Sequence, residues 1–136
     1  MSPVRGAVYR GAMTAMTTRI LSVTVPVADQ DRALAFYTDV LGCELVHDFE
    51  VWPGARLVEV APPGSSVGFV LLPPDSQIPV AVRMGTPDAY AALERLRAAC
   101  VTLHNDAVVE LEGAPPMFFF ADPDGNGLVY LQEEVD

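Results

Sequence analysis

Few side chains in this sequence can do chemistry, and they are scattered along it. His47 and His104 are the only histidines. Each lies early in a segment with strand character, with a glutamate further on, Glu50 or Glu110. Imidazole with carboxylate is a donor set for a divalent transition metal. Nothing in the spacing brings the two rings together, so both read as histidines at strand ends, on the surface or at an interface. Arg83 is the charged residue late in an apolar run, Val80-Ala81-Val82-Arg83-Met84. Alternation puts Pro79, Ala81 and Arg83 on one face and Val80, Val82 and Met84 on the other. From there Arg83 can bind a carboxylate or phenolate, or reach solvent or a nearby acid. Glu50, Arg56 and Glu59 flank Trp52 on adjacent strand segments. A glutamate buried there would have a raised pKa and could act as a general base; an exposed sheet edge is the simpler reading of each. Trp52 can stack on a flat ligand, anchor its turn or meet a second subunit. Met117, Phe118, Phe119 and Phe120 must alternate, two to each face, and Tyr130 shares its face with Leu128, in the core. Whichever pair of the Phe run faces inward joins Thr24 and Val129 in an apolar, aromatic pocket. The candidate ligand contacts are Thr24, Trp52, Arg56, Arg83, Met117, Phe119 and Val129.

Composition narrows the partners. The chain has 136 residues, 51% of them hydrophobic, enough for one domain with its own core. Its net charge is −10, lysine is absent, and from Ile20 onward 5 arginines face 18 acids. That balance argues against nucleic acid or an anionic membrane as partner. It suits a cationic ligand, although acidity also serves solubility alone. No apolar run is long enough to span a bilayer. The N-terminal stretch with Arg5 and Arg10 lacks the apolar block of a secretory signal, and Met13 and Met16 are alternative starts. A cytoplasmic location is expected. Cys43 and Cys100 have neither disulfide-framework nor zinc spacing and read as buried free thiols.

The elements that must position these residues alternate in type. Ile20–Val27 is rich in β-branched residues and reads as a strand. Asp29 caps a helix over Arg32–Leu41, which Gly42 ends. Strands come next at Glu44–Val51, Ala55–Ala61 and Val67–Leu72, turned by Trp52-Pro53-Gly54 and by Pro62–Ser65. After a linker at Pro73–Ser76 the order recurs. Ile78–Met84 is a strand, Thr86 caps with Pro87 at the first helical position, and Asp88–Cys100 is a helix. Strands Val101–His104, Met117–Ala121 and Leu128–Gln132 complete it, with 106–112 open between strand and loop. Asp122-Pro123-Asp124-Gly125-Asn126 is the last tight turn.

The recurrence is a repeat. Ser22 and Pro79, Asp29 and Thr86, Cys43 and Cys100, and His47 and His104 are each 57 residues apart. Gly64 and Gly125 are 61 apart, which implies a small insertion in the second half. The expected fold is α+β: two βαβββ modules forming a curled mixed sheet around a cleft, with the helices outside. Residues 1–18 are expected to be a mobile arm or start-site extension. Residues 19–136 form a single domain, with modules at 19–74 and 77–136.

Three stretches carry a resemblance. Val23–Asp29, the helix Arg32–Tyr37 followed by Val40-Leu41-Gly42, and the turn Asp122–Asn126 resemble the vicinal oxygen chelate superfamily, which includes glyoxalase I, bleomycin-resistance proteins and extradiol dioxygenases. The resemblance covers about residues 19–134 and implies paired βαβββ modules, commonly in a homodimer. It also implies four metal-ligand positions, on strands 1, 4, 5 and 8. They fall on Ser22, on Gly68 or Val70, on Pro79 and on Val129. None carries a usual ligand, so no metal and no cofactor are expected.

Three functions are compatible with these residues. The first is a metal-free small-molecule-binding protein of the glyoxalase/bleomycin-resistance type, with an aromatic cleft that sequesters an antibiotic or metabolite, the ligand being cationic or aromatic. The alternative is a metal-independent isomerase, cyclase or lyase using a glutamate base with Arg83 as oxyanion partner. It requires that one of Glu50, Glu59 and Glu110 lie inside the cleft. The third is a glyoxalase- or dioxygenase-like metalloenzyme with displaced ligands.

Overall fold

In the computed structural model, which describes residues 16–133, strand β1 (Ile20–Pro26) lies near the middle of the molecule. Its run of β-branched side chains alternates between two covered faces, as a central strand requires. Asp29 then stops the extended chain. Its side chain accepts a hydrogen bond from the Arg32 N–H at 3.0 Å and so caps helix α1 (Gln30–Ala35). The helix widens into a π-helical stretch over Phe36–Val40, closed by Leu41 N–H donating to the Phe36 carbonyl. Gly42, at φ 79°, turns the chain out of it. Strands β2 (Glu44–Trp52), β3 (Ala55–Ala61) and β4 (Gly68–Leu72) then form a meander.

The second module repeats the plan with β5 (Val82–Thr86), α2 (Ala89–Ala98), β6 (Thr102–Leu103), β7 (Met117–Ala121) and β8 (Gly127–Gln132). All eight strands form one open mixed sheet in the order β2-β3-β4-β1-β5-β8-β7-β6. Within each module the first strand pairs in parallel with the last, β1 with β4 and β5 with β8. The modules meet where β1 and β5 run antiparallel. The α+β expectation of two βαβββ modules in one curled sheet is what the chain forms.

One face of each half-sheet packs on its helix. In the first module Val58, Val60 and Leu71 meet Leu34 and Tyr37. In the second Phe118, Phe120 and Tyr130 meet Ala89, Leu93 and Leu96. The opposite faces form two smaller apolar clusters, one around Leu57, Val70 and Ile78 and one around Ala81, Val129 and Leu131.

Several expectations need correcting. Asp88 caps α2, accepting from the Tyr90 and Ala91 N–H groups, while Thr86 remains in β5 because its carbonyl accepts from Glu133 N–H. The strand expected from Ile78 begins only at Val82, beyond Pro79, which has no N–H for a ladder. Cys43 and Cys100 are not equivalent. Cys43 is buried behind Gly42, whereas Cys100 is exposed and itself takes the left-handed turn at φ 61°. Residues 106–112 are loop, touching the sheet through one bridge between Val109 and Met117. The expected arm over 1–18 lies mostly outside the described residues. Within them, Thr18 N–H donates to the Gly85 carbonyl and the Thr17 hydroxyl meets the Tyr130 hydroxyl at 2.5 Å.

The register also revises the repeat. Gly68 pairs with Ser22 and opens β4; Gly127 opens β8 beside Ala81. Val70 pairs with Thr24 as Val129 pairs with Arg83. Ser22 is therefore matched by Ala81 and Thr24 by Arg83, 59 residues apart, as are the caps Asp29 and Asp88. The 57-residue spacing holds for His47 and His104, which lie across from Glu59 and Phe119. The first module spends two more residues between cap and histidine. One widens the helix before Gly42 and one lengthens the link to β2.

Candidate functional site

The cleft faces of the two half-sheets enclose a cavity of about 190 Å³. Thr24 and Val70 line it from the first module, backed by Leu57, Leu72 and Ile78. Val129, Leu131, Met117 and Phe119 line it from the second, and the loop Gly113–Pro115 covers part of it. Trp52 stands at one end, its indole N–H donating to Gln77 Oε1 at 2.6 Å. Of the seven candidate contacts, Thr24, Trp52, Arg83, Met117, Phe119 and Val129 all line this one cavity. The alternation of the Phe run is resolved. Phe118 and Phe120 pack under α2, while Met117 and Phe119 face the cleft.

Arg56 is the exception. It shares a strand face with Val58 and Val60, away from the cleft, and its guanidinium bonds Asp48 and, at 2.9 Å, Asp31 in the first turn of α1. Those partners raise the arginine's pKa further, Asp48 foremost. The guanidinium's hydrogen bonds hold the Asp48 carboxyl below its ordinary value. Arg56 is a surface strut between sheet and helix.

Glu59 is the buried acid that the composition of its strand hides. Against the expectation of an exposed edge, it is only 9% exposed. Its side chain accepts from Arg83 Nη1 at 3.2 Å, and the same nitrogen donates to Ser22 Oγ at 3.0 Å. Ser22 is fully buried. The three side chains bond one another, which offsets part of the cost of burying them. Period 2 is the signal that could find it. Glu59 alternates with Val58 and Val60, so it shares the cleft face with Ala55 and Leu57. Glu50 and Glu110 are exposed and hold local contacts, with Gly54 N–H and with the Tyr90 hydroxyl. His47 lies opposite Glu59 on β2 and lines the cavity rim, while remaining exposed. His104 is exposed on the other side.

A polar seam therefore crosses the junction of β1 and β5. The Thr24 hydroxyl donates to the Ala81 carbonyl at 2.6 Å. Arg83, its counterpart, reaches back to Ser22, the counterpart of Ala81. The cavity wall carries one guanidinium and no carboxylate. The chain's negative charge is thus spread over other surfaces, with Glu59 just beside Arg83. This removes the electrostatic reason for expecting a cationic ligand.

The register fixes the four positions that would hold a divalent ion as Ser22, Val70, Ala81 and Val129, so the strand 5 position moves from Pro79 to Ala81. Three of these side chains have no donor atom, and Ser22 Oγ already accepts from a cation. Among the described residues no three His, Cys, Asp or Glu side chains cluster as a metal site would need. The donor set does not fit a divalent metal.

Comparison with known proteins agrees with this architecture. Residues 19–130 match the family model of the Glyoxalase/Bleomycin resistance protein/Dioxygenase superfamily. The uncharacterized protein YetH of Bacillus subtilis (strain 168) is 28% identical over 130 residues, covering 88% of this chain and all of that one. Among solved structures, methylmalonyl-CoA epimerase from Mycobacterium tuberculosis superposes with a TM-score of 0.75 at 24% identity, over 90% of this chain and 93% of that one. A variant methylmalonyl-CoA epimerase from Streptomyces coelicolor, in complex with 2-nitronate-propionyl-CoA, superposes at 0.69 with 19% identity, over 88% and 99%. At those identities the likeness is one of fold. With the family model matching most of its length, the chain belongs to the Glyoxalase/Bleomycin resistance protein/Dioxygenase superfamily.

Proposed function

We propose that this protein binds a small organic molecule in the cleft between its modules without a metal ion, and that sequestering a metabolite or antibiotic is its role. The observation that carries this is the cavity itself. It is built by both modules, walled by apolar and aromatic side chains, and carries valine at two of the metal-ligand positions, Val70 and Val129. Enclosed apolar walls with a few placed polar groups are how small-molecule sites are made. The test is a thermal-shift and NMR screen of flat and aliphatic small molecules on protein stripped with EDTA, repeated with added Mn, Fe, Co, Ni and Zn. Saturable binding that is unchanged by metal is expected. Binding that appears only after metal is added would sink the reading.

The same reading includes a homodimer. Its support is the apolar surface left open along the π-helical end of the first helix and the edge strand β2, at Phe36, Val40, Leu41, Leu45 and Val46. Light scattering at micromolar concentration should give twice the chain mass; a monomer would contradict it.

A second reading is favoured by one feature, the buried Glu59 beside Arg83 and an apolar wall. This is the minimal machinery of a metal-independent isomerase or lyase. Glu59 would take a proton from a carbon next to a carbonyl, the C–H electron pair would form a C=C bond as the carbonyl π pair moves onto oxygen, and Arg83 would donate hydrogen bonds to that enolate before the proton returns. Washout of α-deuterium from phenylacetone, lost in Glu59→Gln, would support it. Washout no faster than in buffer would leave binding alone.

A further inference from the structure

Arg83 has more hydrogen-bonding capacity than the protein uses. Both of its hydrogen bonds among the described residues leave from Nη1, one to Ser22 Oγ and one to Glu59 Oε1. Nη1 has two hydrogens, so these bonds use it fully. Nε–H and the two Nη2 hydrogens have no partner among the described residues. Yet only 22% of the side chain is exposed, and the residue lines the apolar cavity as well as the adjoining polar groove. An arginine cannot shed its charge to escape that environment. Its unused Nε–Nη2 edge presents two parallel donors, the geometry that a carboxylate matches with two oxygens.

The cavity limits the size of the group that such a carboxylate can carry. An apolar cavity of about 150 Å³ is enough for a benzene ring, and this one is about 190 Å³. Its walls next to Arg83 are Thr24, Val70, Val129 and Phe119. A single ring or a short branched chain suits such a space better than a larger fused system.

We infer that the ligand is a small monocarboxylate with a body of about one ring, its carboxylate held on the Nε–Nη2 edge of Arg83 and its body in the apolar cavity. This rests on the reading of the cleft as a binding site and names its ligand class. Glu59 keeps Nη1 and sets the strength of the grip. It neutralises the guanidinium in the free protein and repels the arriving anion. Ser22 and Glu59 both hold Nη1 and so restrain the guanidinium without occupying its Nε–Nη2 edge. His47 is the other titratable group on this rim, opposite Glu59. Arg19 and Glu133 pair with each other in the adjoining groove.

The test is calorimetric titration of the full chain at pH 7.5 in EDTA, with benzoate, benzyl alcohol, benzylamine and 2-naphthoate. Benzoate should bind at least tenfold more tightly than benzyl alcohol, with benzylamine and 2-naphthoate weaker than benzoate. Arg83→Met should remove the advantage of benzoate while leaving benzyl alcohol within twofold. The double variant Arg83→Met/Glu59→Gln, which leaves no unpaired buried charge, should behave the same way and guards against a folding defect in the single variant. Glu59→Gln alone should tighten benzoate several-fold and leave benzyl alcohol unchanged. If benzyl alcohol binds and benzoate gains nothing from Arg83, the carboxylate assignment is overturned and the cleft remains a binding site. If no single-ring compound binds, this inference falls, and the screen with larger molecules decides the broader reading separately.

Discussion

In the first module the row of residues crossing the cleft face runs His47, Glu59, Val70, Thr24; in the second it runs His104, Phe119, Val129, Arg83. The valines agree and the histidines agree. The differences are Glu59 against Phe119 and Thr24 against Arg83. One half of the cleft thus carries an acid where the other carries a ring, and a short hydroxyl where the other carries a long cation. The cation leans across the seam to the acid of the opposite half. A repeat lets one scaffold present two unlike walls to one cavity, with the polar contacts collected where β1 meets β5. The helix sides differ as well. The second module fills its core with three rings in tilted and edge-on contact, Phe118, Phe120 and Tyr130, at centroid distances of 5.1–5.8 Å. The first buries valines and a leucine, with its rings Tyr37 and Phe69 only partly covered, and leaves much of the apolar surface of its helix and β2 open.

The largest test of that contrast is in the cores. Phe118 and Val58 are counterparts, paired with Tyr130 and Leu71. Phe118→Ala should cost about 3–5 kcal/mol in urea denaturation, because it empties the centre of an aromatic cluster. Val58→Ala should cost about 2 kcal/mol. Equal costs would mean that the cores are not as different as their packing.

The seam comes next. Arg83→Met leaves Glu59 buried without its partner and should cost about 2–3 kcal/mol. Adding Glu59→Gln should recover most of it. Thr24→Val, at the equivalent place, removes one hydrogen bond and should cost about 1 kcal/mol. A double-mutant cycle showing no coupling between Arg83 and Glu59 would mean that the ion pair does not organise the cleft.

Gly68 and Gly127 test the equivalence itself. A Cβ on Gly127 would lie 2.6 Å from the Val80 carbonyl oxygen, and one on Gly68 2.8 Å from that of Val60. Backbone must move in both cases. Gly127→Ala and Gly68→Ala should each lower stability by about 1–3 kcal/mol. Only Gly68→Ala should also disturb the cleft, since its Cβ would press on Glu59 Oε2 at 2.9 Å.

The smallest effect is expected at Arg56, which has no counterpart in the second module. Its pairs are partly exposed, so Arg56→Ala should cost less than about 1 kcal/mol. Arg56 lowers the pKa of Asp48 in the folded state. Its contribution is therefore complete above the unfolded value and lost as pH falls below about 4. The difference in stability between wild type and Arg56→Ala should shrink as pH is lowered from 5 to 3.

Much of this architecture is legible in the residues. β-branched runs, the Asp29 cap and the stop at Gly42 place the first half of each pattern. Exact boundaries emerge where turn residues bound both ends, as for Ala55–Ala61. Register is what stays hidden. A constant 57-residue offset holds at the histidines, yet the π-helical widening and a longer link to β2, one residue each, displace the cap and cleft strands by two. Periodicity along a helix does not announce an inserted residue that the helix absorbs. Thr86 and Asp88 are both good caps by type, and the choice between them depends on how far β5 stays paired with β8. The cleft acid is different in kind. Simple alternation through Leu57, Val58, Glu59 and Val60 separates Glu59 from Arg56, but the density of charge near Trp52 suggests an exposed edge instead. Its partner Arg83 is readable as a cleft residue. That the two meet depends on β1 and β5 joining the modules, a long-range pairing that local sequence does not encode.

The most direct test of metal-independent binding in the inter-module cleft is a methyl-NMR titration with a hit from the small-molecule screen, in EDTA. Saturable shifts of the Val70, Leu72, Val129 and Leu131 methyl groups, unchanged when a divalent metal replaces EDTA, are the expected result. Shifts confined to methyl groups outside the cavity, or shifts that need the metal, would contradict it.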